Sequence, residues 1–274
     1  MKKENLKLVY DEDFKTDLKF GEWKRENNPY ADVWRPFEAV TDARNKNATK
    51  KCFLTPDNRV VKDGEMVMYA TDNGDMYHGI ELRTKQYYHY GYFEVEAKLN
   101  SSRGICPAFW FVSSRRSPSR MEYEIDGFEC FGETPDMIKV TPLAHNYKGN
   151  KYNGTEWDFK CKRLVEKDHD FPGSFYKGDW GSDFHKFAVD WKPDLVTWYI
   201  DDVPVFEMKP SESFDGNILF NEPMIVILTV YSGVDVCNPK TGLPDETTDW
   251  ENGASMTIKS IKFYEYELTA DFFK

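Results

Sequence analysis

Apolar and polar residues alternate with a period of two along much of this chain, as in strands that bury one face. Alternation or β-rich content predicts strands over 66–70, 91–99, 108–112, 123–131, 187–191, 196–200 and 257–266. The run 224–231 is apolar throughout and predicts a strand buried on both faces. Asp201-Asp202 lies between two such segments and predicts a tight hairpin turn. Many short strands with little helical periodicity predict an all-β fold, a jelly-roll sandwich of two antiparallel sheets.

The organisation of the chain predicts one domain over residues 1–274. There is no Pro/Gly/Ser-rich linker, no break in composition and no internal repeat, and all-β sandwiches commonly reach this size as a single unit. Residues 146–182 are rich in Lys, Gly, Asn and Asp. We interpret them as a long loop or loops beside a cleft, where binding residues often lie.

Composition and charge exclude some classes of partner. The hydrophobic content of 40% allows a sizeable core, and the aromatic content of 16% leaves rings for a surface that binds sugars. The net charge of −11 argues against a nucleic-acid partner, because a basic footprint is missing. It also weighs against a strongly anionic polymer, although a local patch could override the global sign. No stretch is long and apolar enough to span a bilayer, so we expect no membrane partner.

The five cysteines (Cys52, Cys106, Cys130, Cys161 and Cys237) have no Cys-x-x-Cys spacing. A zinc or redox site is therefore not expected, and we interpret most of them as small, reduced, buried residues. The first residues are charged and contain no apolar run, so no secretion signal is visible.

Three carboxylates are concentrated in the segment Glu124-Ile125-Asp126-Gly127-Phe128-Glu129. Alternate residues of a strand share a face, so Glu124 and Asp126 point the same way. Glu129 would point the opposite way on a regular strand, and one extra residue at Gly127, a β-bulge, would return it to their face. Three acids on one face repel each other and lose solvation, which is more typical of a catalytic site than of structure. The alternative is a solvated strand face whose acids alternate by chance.

Retaining hydrolysis of a glycosidic bond uses such an arrangement. It needs a nucleophilic carboxylate and a second carboxyl group that acts first as acid and then as base, roughly 5–5.5 Å apart. The bulge would leave Glu124 and Glu129 about 13 Å apart at Cα, a gap that two glutamate side chains can largely close. Asp126 between them can bind Glu124 and raise the cost of ionising its neighbours.

The spacing Glu-x-Asp-x-x-Glu resembles the catalytic signature of glycoside hydrolase family 16, the laminarinase, agarase and carrageenase type. Further segments resemble this family in the family's order, namely 8–14, 90–99, 107–111, 183–191 and 198–202. The resemblance implies a jelly roll with an open cleft, in which Glu124 is the nucleophile, Glu129 the acid/base and Asp126 their partner. Glu122 alternates with Glu124 and offers a competing register, which the family's spacing disfavours.

The resemblance also implies residues that bind sugar. Trp110 would stack on a pyranose near the scissile bond, although it could instead be a core residue. His145 would lie close to the acid/base, although a lone histidine is more often structural. Trp34 and Trp180 fall in probable loops and could form sugar platforms. Trp191 and Trp198 are expected in the sandwich interior.

Two basic features bear on the substrate. Arg83 would edge the cleft and bind hydroxyl or sulfate groups, with a surface ion pair as the alternative. The segment 115–120, with three arginines, could recognise a charged galactan or be a solvated turn. The laminarinase-like pattern often has Gly before the first glutamate, whereas this chain has Tyr123.

The sequence therefore predicts a monomeric, retaining endo-β-glycosidase that acts on a polysaccharide or oligosaccharide. A β-1,3 or mixed β-1,3/1,4 glucan ranks first, and an algal galactan such as agar or porphyran ranks second. The alternatives are a non-catalytic, lectin-like carbohydrate-binding protein and a transglycosylase. No redox or organic cofactor is required; some relatives hold a structural calcium ion, but no ligand cluster here predicts one or any other metal. Because polymers do not cross membranes and the family is mostly exported, we expect a secreted or periplasmic location, with the signal removed; the alternative is an intracellular location.

Overall fold

The computed structural model describes residues 5–18, 33–41, 50–114, 121–148, 151–158, 163–164, 175–210, 220–233 and 242–266. These residues form twenty strands and no helix, so none of the described segments is a helix that could cross a membrane. The first ten strands are β1 (Leu6–Glu12), β2 (Trp34–Pro36), β3 (Ala39–Thr41), β4 (Cys52–Leu54), β5 (Arg59–Lys62), β6 (Glu65–Tyr69), β7 (Thr71–Asp72), β8 (Tyr77–Thr84), β9 (Gly91–Ser101) and β10 (Ile105–Ser113). The others are β11 (Met121–Cys130), β12 (Met137–Lys148), β13 (Lys151–Asp158), β14 (Arg163–Leu164), β15 (Phe175–Lys177), β16 (His185–Trp191), β17 (Val196–Ile200), β18 (Val203–Met208), β19 (Met224–Ser232) and β20 (Ala254–Tyr266).

The strands belong to two sheets. The eight-stranded sheet has the order β18-β17-β16-β9-β20-β6-β5, with β1 also paired to β20. The twelve-stranded sheet has the order β14-β13-β12-β11-β10-β19-β8-β4-β3, with β15 on β12 and both β2 and β7 on β8. Among the described strands, every pairing is antiparallel except that of β4 with β8. The predicted all-β sandwich of two antiparallel sheets is confirmed.

The strands predicted from alternation are present with small changes of boundary. Every residue of β19 is buried, as the apolar run at 224–231 predicts, because β19 lies inside its sheet between β10 and β8. The hairpin turn is also present between β17 and β18. Asp201 and Asp202 both have positive φ angles, 50° and 65°, as a two-residue hairpin turn of the favoured twist requires.

Aromatic side chains join the two sheets in the core. Phe128 on β11 contacts Phe187 on β16 with ring centroids 4.6 Å apart, and Phe93 on β9 contacts Phe111 on β10 at 5.0 Å. Trp191 and Trp198 are fully buried, which confirms their predicted place in the interior. The catalytic strand predicted from the sequence, β11, therefore has its apolar face fixed against the opposite sheet.

Three cysteines, Cys52, Cys106 and Cys130, are free and buried. Burial raises the pKa of the Cys52 thiol to about 11 and also raises that of Cys130. Both thiols are therefore protonated and unreactive near neutral pH, which confirms the prediction of reduced, buried residues for this group. Cys161 and Cys237 lie outside the described residues.

The prediction of a long loop at 146–182 was wrong in part. Strand β12 extends to Lys148, β13 pairs with β12, and β15 pairs with the start of β12. These strands extend the twelve-stranded sheet toward one edge. Strands near the edge of a sheet need not show the alternation of a half-buried strand. The polar composition of residues 146–182 therefore did not indicate these strands.

Candidate active site

The predicted bulge is present on β11. Trp110 of β10 pairs with Asp126, and its neighbour Phe109 pairs with Phe128, so that Gly127 is the extra residue. On the other side of β11 the register also shifts between Asp126 and Glu129. The bulge therefore lies in the middle of the three-acid segment.

This bulge places the three carboxylates on one side of the sheet. Ile125 and Phe128, three positions apart, both belong to the hydrophobic core. On a regular strand they would face opposite ways, so Glu124, Asp126 and Glu129 share the other side. We call this side of the twelve-stranded sheet, turned away from the core, the polar face.

Glycine is needed at position 127 for reasons of space. A Cβ atom there would lie 2.5 Å and 2.8 Å from two ring carbons of Phe109 and 3.1 Å from its carbonyl oxygen. Some bulges require a positive φ angle, which glycine adopts easily. That is not the reason here, because the φ angle of Gly127 is not positive. A larger residue would displace either the Phe109 ring or the bulge.

A hydrogen bond from the opposite sheet fixes the bulge. The indole Nε1 of Trp198 donates to the backbone oxygen of Asp126 at 2.7 Å, and both residues are buried. A buried carbonyl without a partner is costly, so this bond stabilises the turned-out backbone of the bulge. The sequence indicated that Trp198 is internal but gave no signal for this partner.

The register sets the separation of the two glutamates. Glu124 pairs with Val112 and Leu143, and Glu129 pairs with Ala108 and Lys139. These partners lie four positions apart on each neighbouring strand, or about 13 Å at ~3.3 Å per residue. Side chains that lean toward each other from this distance can bring their carboxyl groups to the separation used in retaining glycosidases.

The carboxyl group of Asp126 has a perturbed pKa. Asp126 is buried, and its burial raises the pKa of its carboxyl group well above the usual range. The charges of Glu129 and Glu124 and a side-chain hydrogen bond with Glu124 raise this pKa further, and Lys139 opposes them. Burial and the neighbouring acids therefore favour the protonated form of Asp126.

Lys139 on β12 lies opposite Glu129. Its Nζ lies 3.5 Å from Oε2 of Glu129, and the two residues are only 5% and 8% exposed. The sequence analysis missed this residue. The signal in the sequence that could have indicated Lys139 is its position as a charged residue inside the apolar run Met137-Ile138-Lys139-Val140.

Trp110 lies beside the acids. It pairs with Asp126 across β10 and β11, between the core residues Phe109 and Phe111, so that its side chain is on the polar face. It is half-buried and leaves part of its ring accessible. This placement suits the predicted stacking on a sugar, which stays a prediction.

Arg83 lies on the polar face three strands from β11, because Ile227 of β19 pairs with both Trp110 and Arg83. Its Nε donates to the carboxylate of Glu81, and its guanidinium lies 3.6 Å from the centre of the Phe37 ring. Glu81 is buried and also accepts a hydrogen bond from the Tyr231 hydroxyl. The guanidinium is thus held by an ion pair, which was the predicted alternative, and faces the sheet's polar side with 23% of its side chain exposed.

Trp34 and Trp180 are not sugar platforms, and these two predictions are corrected. Trp34 is in strand β2, 3% exposed, and its Nε1 donates to the hydroxyl of Tyr10 at 2.9 Å. Trp180 is 5% exposed and its Nε1 donates to the carbonyl of Asp136 at 3.1 Å. Both rings are packed in the core, so neither offers a face to a ligand.

Other predicted residues are placed only in part. The backbone of His145 pairs with Glu122; its side chain lies outside the described part of the structure, and its role stays a prediction. Glu122 is buried and precedes the bulge, on the regular part of β11. The basic segment 115–120 lies outside the described residues. Within the described residues, no group of three or more His, Cys, Asp or Glu side chains is arranged to hold a metal ion.

A two-sheet β-sandwich that carries three carboxyl groups on one face of a bulged strand is compatible with glycoside hydrolysis, which uses a pair of Asp or Glu residues. The family model for glycosyl hydrolases family 16 matches residues 46–252. The chain therefore belongs to glycosyl hydrolases family 16.

Individual relatives agree with this assignment. A beta-glucanase of Rhodothermus marinus is 31% identical over 160 residues, which are 55% of this chain and 50% of the relative. A glucan endo-1,3-beta-glucosidase of Cryptopygus antarcticus is 26% identical over 78% of this chain and 75% of the relative. The chain thus spans half the length of the first relative and three quarters of the second. The laminarinase catalytic domain of Thermotoga maritima superposes with a TM-score of 0.66 at 24% identity, over 97% of this chain and all of that one.

Proposed function

We propose that this protein cleaves internal linkages of a neutral β-glucan, β-1,3 or mixed β-1,3/1,4, with retention of anomeric configuration. The observation that carries the proposal is the bulge at Gly127, which brings Glu129 to the face of Glu124 and Asp126. Without the bulge, Glu124 and Asp126 would share the polar face, and Glu129 would point into the core.

The positions of the acids support a role for each. Glu124 is half-buried on the polar face and attacks the anomeric carbon as a carboxylate. Glu129 gives its proton to the leaving oxygen and later takes one from the attacking water. The raised pKa of Asp126 favours its protonated form, which can donate a hydrogen bond to Glu124. This bond orients the nucleophile and keeps the negative charge on it.

The ion pair of Arg83 favours a neutral substrate. A cation that recognises sulfate or carboxylate groups should be free to form new charge-assisted bonds. Arg83 is already neutralised by the buried Glu81, so an anionic group would gain little there. The guanidinium N–H groups that do not bond Glu81 suit sugar hydroxyls.

The placement of Tyr123 also supports a glucan. This residue replaces the glycine that often precedes the first glutamate in laminarinase-like sequences. Its side chain is buried in the core and contacts Phe220, with ring centroids 5.2 Å apart. A large residue here therefore does not crowd the polar face, and the beta-glucanase and endo-1,3-beta-glucosidase relatives suggest the same substrate class.

The length of the polar face supports endo action. Asp126, Trp110 and Arg83 lie on strands β11, β10 and β8, and β19 separates the last two. Three inter-strand spacings of ~4.8 Å give about 14 Å, enough for two to three sugar residues on one side of the acids. A polymer that lies across the strands could be cut at internal positions. Since such polymers do not cross membranes, this function also implies a secreted or periplasmic protein.

A substrate panel tests the proposal. Laminarin, lichenan, agarose, porphyran and carrageenan are incubated with the protein, and reducing ends are measured together with the anomer formed first, by proton NMR. We expect release from laminarin or lichenan, with β-anomers as first products. Cleavage of galactans alone would contradict the proposed β-glucan substrate. α-Anomers as first products would contradict retention of the anomeric configuration.

Two controls separate the rival functions. Sizing of products with an added oligosaccharide acceptor distinguishes hydrolysis from transglycosylation, which would yield chains longer than the donor. Binding of a glucan without any turnover, at protein concentrations where the controls are active, would indicate the lectin-like alternative.

A further inference from the structure

Lys139 is a buried cation in direct contact with the proposed acid/base. Its Nζ lies 3.5 Å from Oε2 of Glu129, and only 6% of its side chain is exposed. Taking an ammonium group out of water is unfavourable unless nearby negative charge offsets it. The negative charge of the carboxylates around Lys139 therefore keeps its ammonium group in this position.

The groups that face Glu129 are few. On its own strand they are Asp126 and Glu124, which the bulge brings to the same face. On β12 the facing residues are Lys139 and Thr141, and on β10 the residue opposite is Ala108. Among the described neighbours on these strands, Lys139 is the one positive charge. Beyond it lies β15, where Lys177 is exposed and ion-paired with Asp136 at 3.0 Å.

We propose that Lys139 is a positioning residue for the acid/base, which holds the Glu129 carboxylate and favours release of its proton during catalysis. This inference rests on the proposed function, because it gives Glu129 the acid/base role. The contact between Lys139 and Glu129 follows from the geometry alone.

The reaction would use this cation in both steps. In the first, the bond between the anomeric carbon and the leaving oxygen breaks, the Glu124 oxygen bonds to that carbon, and the Glu129 proton moves to the leaving group. Glu129 then carries a negative charge beside Lys139, and Glu124 is a neutral ester. In the second step water donates a proton to Glu129 and its oxygen displaces Glu124. Lys139 keeps its own proton throughout and stabilises the charged form of Glu129 between the two steps.

The balance of charge explains why a cation is useful here. The negative charge of Glu124 repels a second negative charge on Glu129, so without a cation Glu129 would be a weaker acid. Lys139 also lowers the pKa of Asp126 against burial and the two glutamates. It thus favours proton release within the cluster, whereas burial and the neighbouring acids oppose it.

The test compares Lys139→Met with Lys139→Arg, which keeps the charge, and with Lys177→Met, which removes an exposed lysine from the neighbouring strand. The first measurement is kcat/KM against pH on the best substrate of the panel. An opposite charge at this distance favours the ionised carboxyl group, so its loss raises the pKa of Glu129. We expect the alkaline limb of the profile to move up by about one pH unit in Lys139→Met and to stay in place in the other two variants.

The second measurement does not depend on activity. Carbon-13 NMR of glutamate- and aspartate-labelled protein follows the site carboxyl groups against pH, with Glu129→Gln to assign the resonance. We expect Glu129 to titrate at higher pH in Lys139→Met than in the parent protein. Lys139→Gln, which keeps a hydrogen-bond donor without charge, is measured as well, so that the result does not depend on the folding of one variant.

The outcomes separate the two levels of the proposal. An unchanged pH profile together with an unchanged Glu129 titration would overturn the role of Lys139, whatever the substrate. A shifted titration in a protein that cleaves nothing in the panel would support the electrostatic contact and reject the proposed function. If the pH profile of kcat/KM moved as far in Lys177→Met as in Lys139→Met, the cause would be a general effect of charge. That result would also overturn the inference.

Discussion

Two buried aspartates, one in each sheet, have opposite surroundings. Asp190 on β16 of the eight-stranded sheet is 2% exposed, and Asp126 on β11 of the twelve-stranded sheet is 3% exposed. Asp190 accepts a hydrogen bond from the Tyr266 hydroxyl and forms an ion pair with Lys192 at 2.9 Å. Oδ2 of Asp126 has no hydrogen-bond partner among the described residues, and two other carboxyl groups raise the pKa of Asp126.

The comparison shows that burial alone does not identify a functional acid. Asp190 meets a donor and a cation, the partners expected of a buried carboxylate that stabilises a fold. Asp126 meets mainly other acids, which costs stability. A protein keeps such a cluster where the perturbed proton affinity is used, because perturbed groups concentrate at functional sites.

Removal of the nucleophile is the strongest test of the functional role of the cluster around Asp126. We expect Glu124→Ala to fold as the parent protein does and to lose about 10⁴-fold or more in kcat, because the covalent step disappears. Loss of Glu124 relieves repulsion in the cluster but also removes a hydrogen-bond partner of Asp126, so we expect stability to fall by no more than about 1–3 kcal/mol. Thermal unfolding and turnover on the best glucan are the measurements; hydrolysis equal to that of the parent would reject Glu124 as nucleophile.

Asp190→Ala should show the reverse pattern. It removes the acceptor of Tyr266 and the partner of Lys192, whose side chain is 37% exposed, so we expect a loss of about 1–3 kcal/mol in the free energy of unfolding. The site acids are on the other sheet, so kcat at a temperature where the variant is folded should be within about twofold of the parent value. Urea unfolding and turnover measured on the same preparation check both parts. A large loss of activity in the folded variant would contradict the separation of the two sheets into structural and functional roles.

The sequence predicted the regular part of the fold because burial on one face imposes a period of two. It also predicted the bulge, since Glu129 lies off the face of Glu124 and Asp126 unless one residue is extra, and Gly127 stands at the required place. Glycine is required at this position because of space rather than backbone conformation. Contact with the Phe109 ring, on another strand, excludes a side chain there, and local sequence does not show such contacts.

Long-range packing also explains what the sequence could not show. Trp34 fills a site between Tyr10 and Phe263, and the latter is far away along the chain, so a tryptophan in a polar segment looked free to bind sugar. The bond from Trp198 to the Asp126 carbonyl joins two sheets. The pairing of Lys139 with Glu129 depends on the register of β11 and β12 beyond the bulge. Each of these contacts is set by how distant segments align rather than by a local pattern.

The pH dependence of stability distinguishes Asp126 from an ordinary ion-paired aspartate. In the native state Asp126 keeps its proton well above the usual pKa, whereas in the unfolded chain it releases it near pH 4. The unfolded state then binds fewer protons, so Asp126 reduces stability as pH rises above about 4. Asp126→Asn cannot ionise. We therefore expect the parent to lose up to about 1.4 kcal/mol per pH unit relative to this variant, until the native carboxyl group also ionises.

Asp72→Asn is the matched control with the opposite sign. The ammonium of Lys50, 2.7 Å away, lowers the pKa of Asp72, so its ionised form stabilises the native state above about pH 4 and that contribution is lost in acid. Urea unfolding at pH 2, 3, 4, 5, 6 and 7 should give a parent that weakens relative to Asp126→Asn as pH rises above about 4, and that weakens relative to Asp72→Asn as pH falls below about 4. Parallel curves for the parent and Asp126→Asn would mean that Asp126 ionises normally in the folded protein. In that case the cluster would hold its proton elsewhere, and the contrast between the two buried aspartates would not rest on their proton affinity.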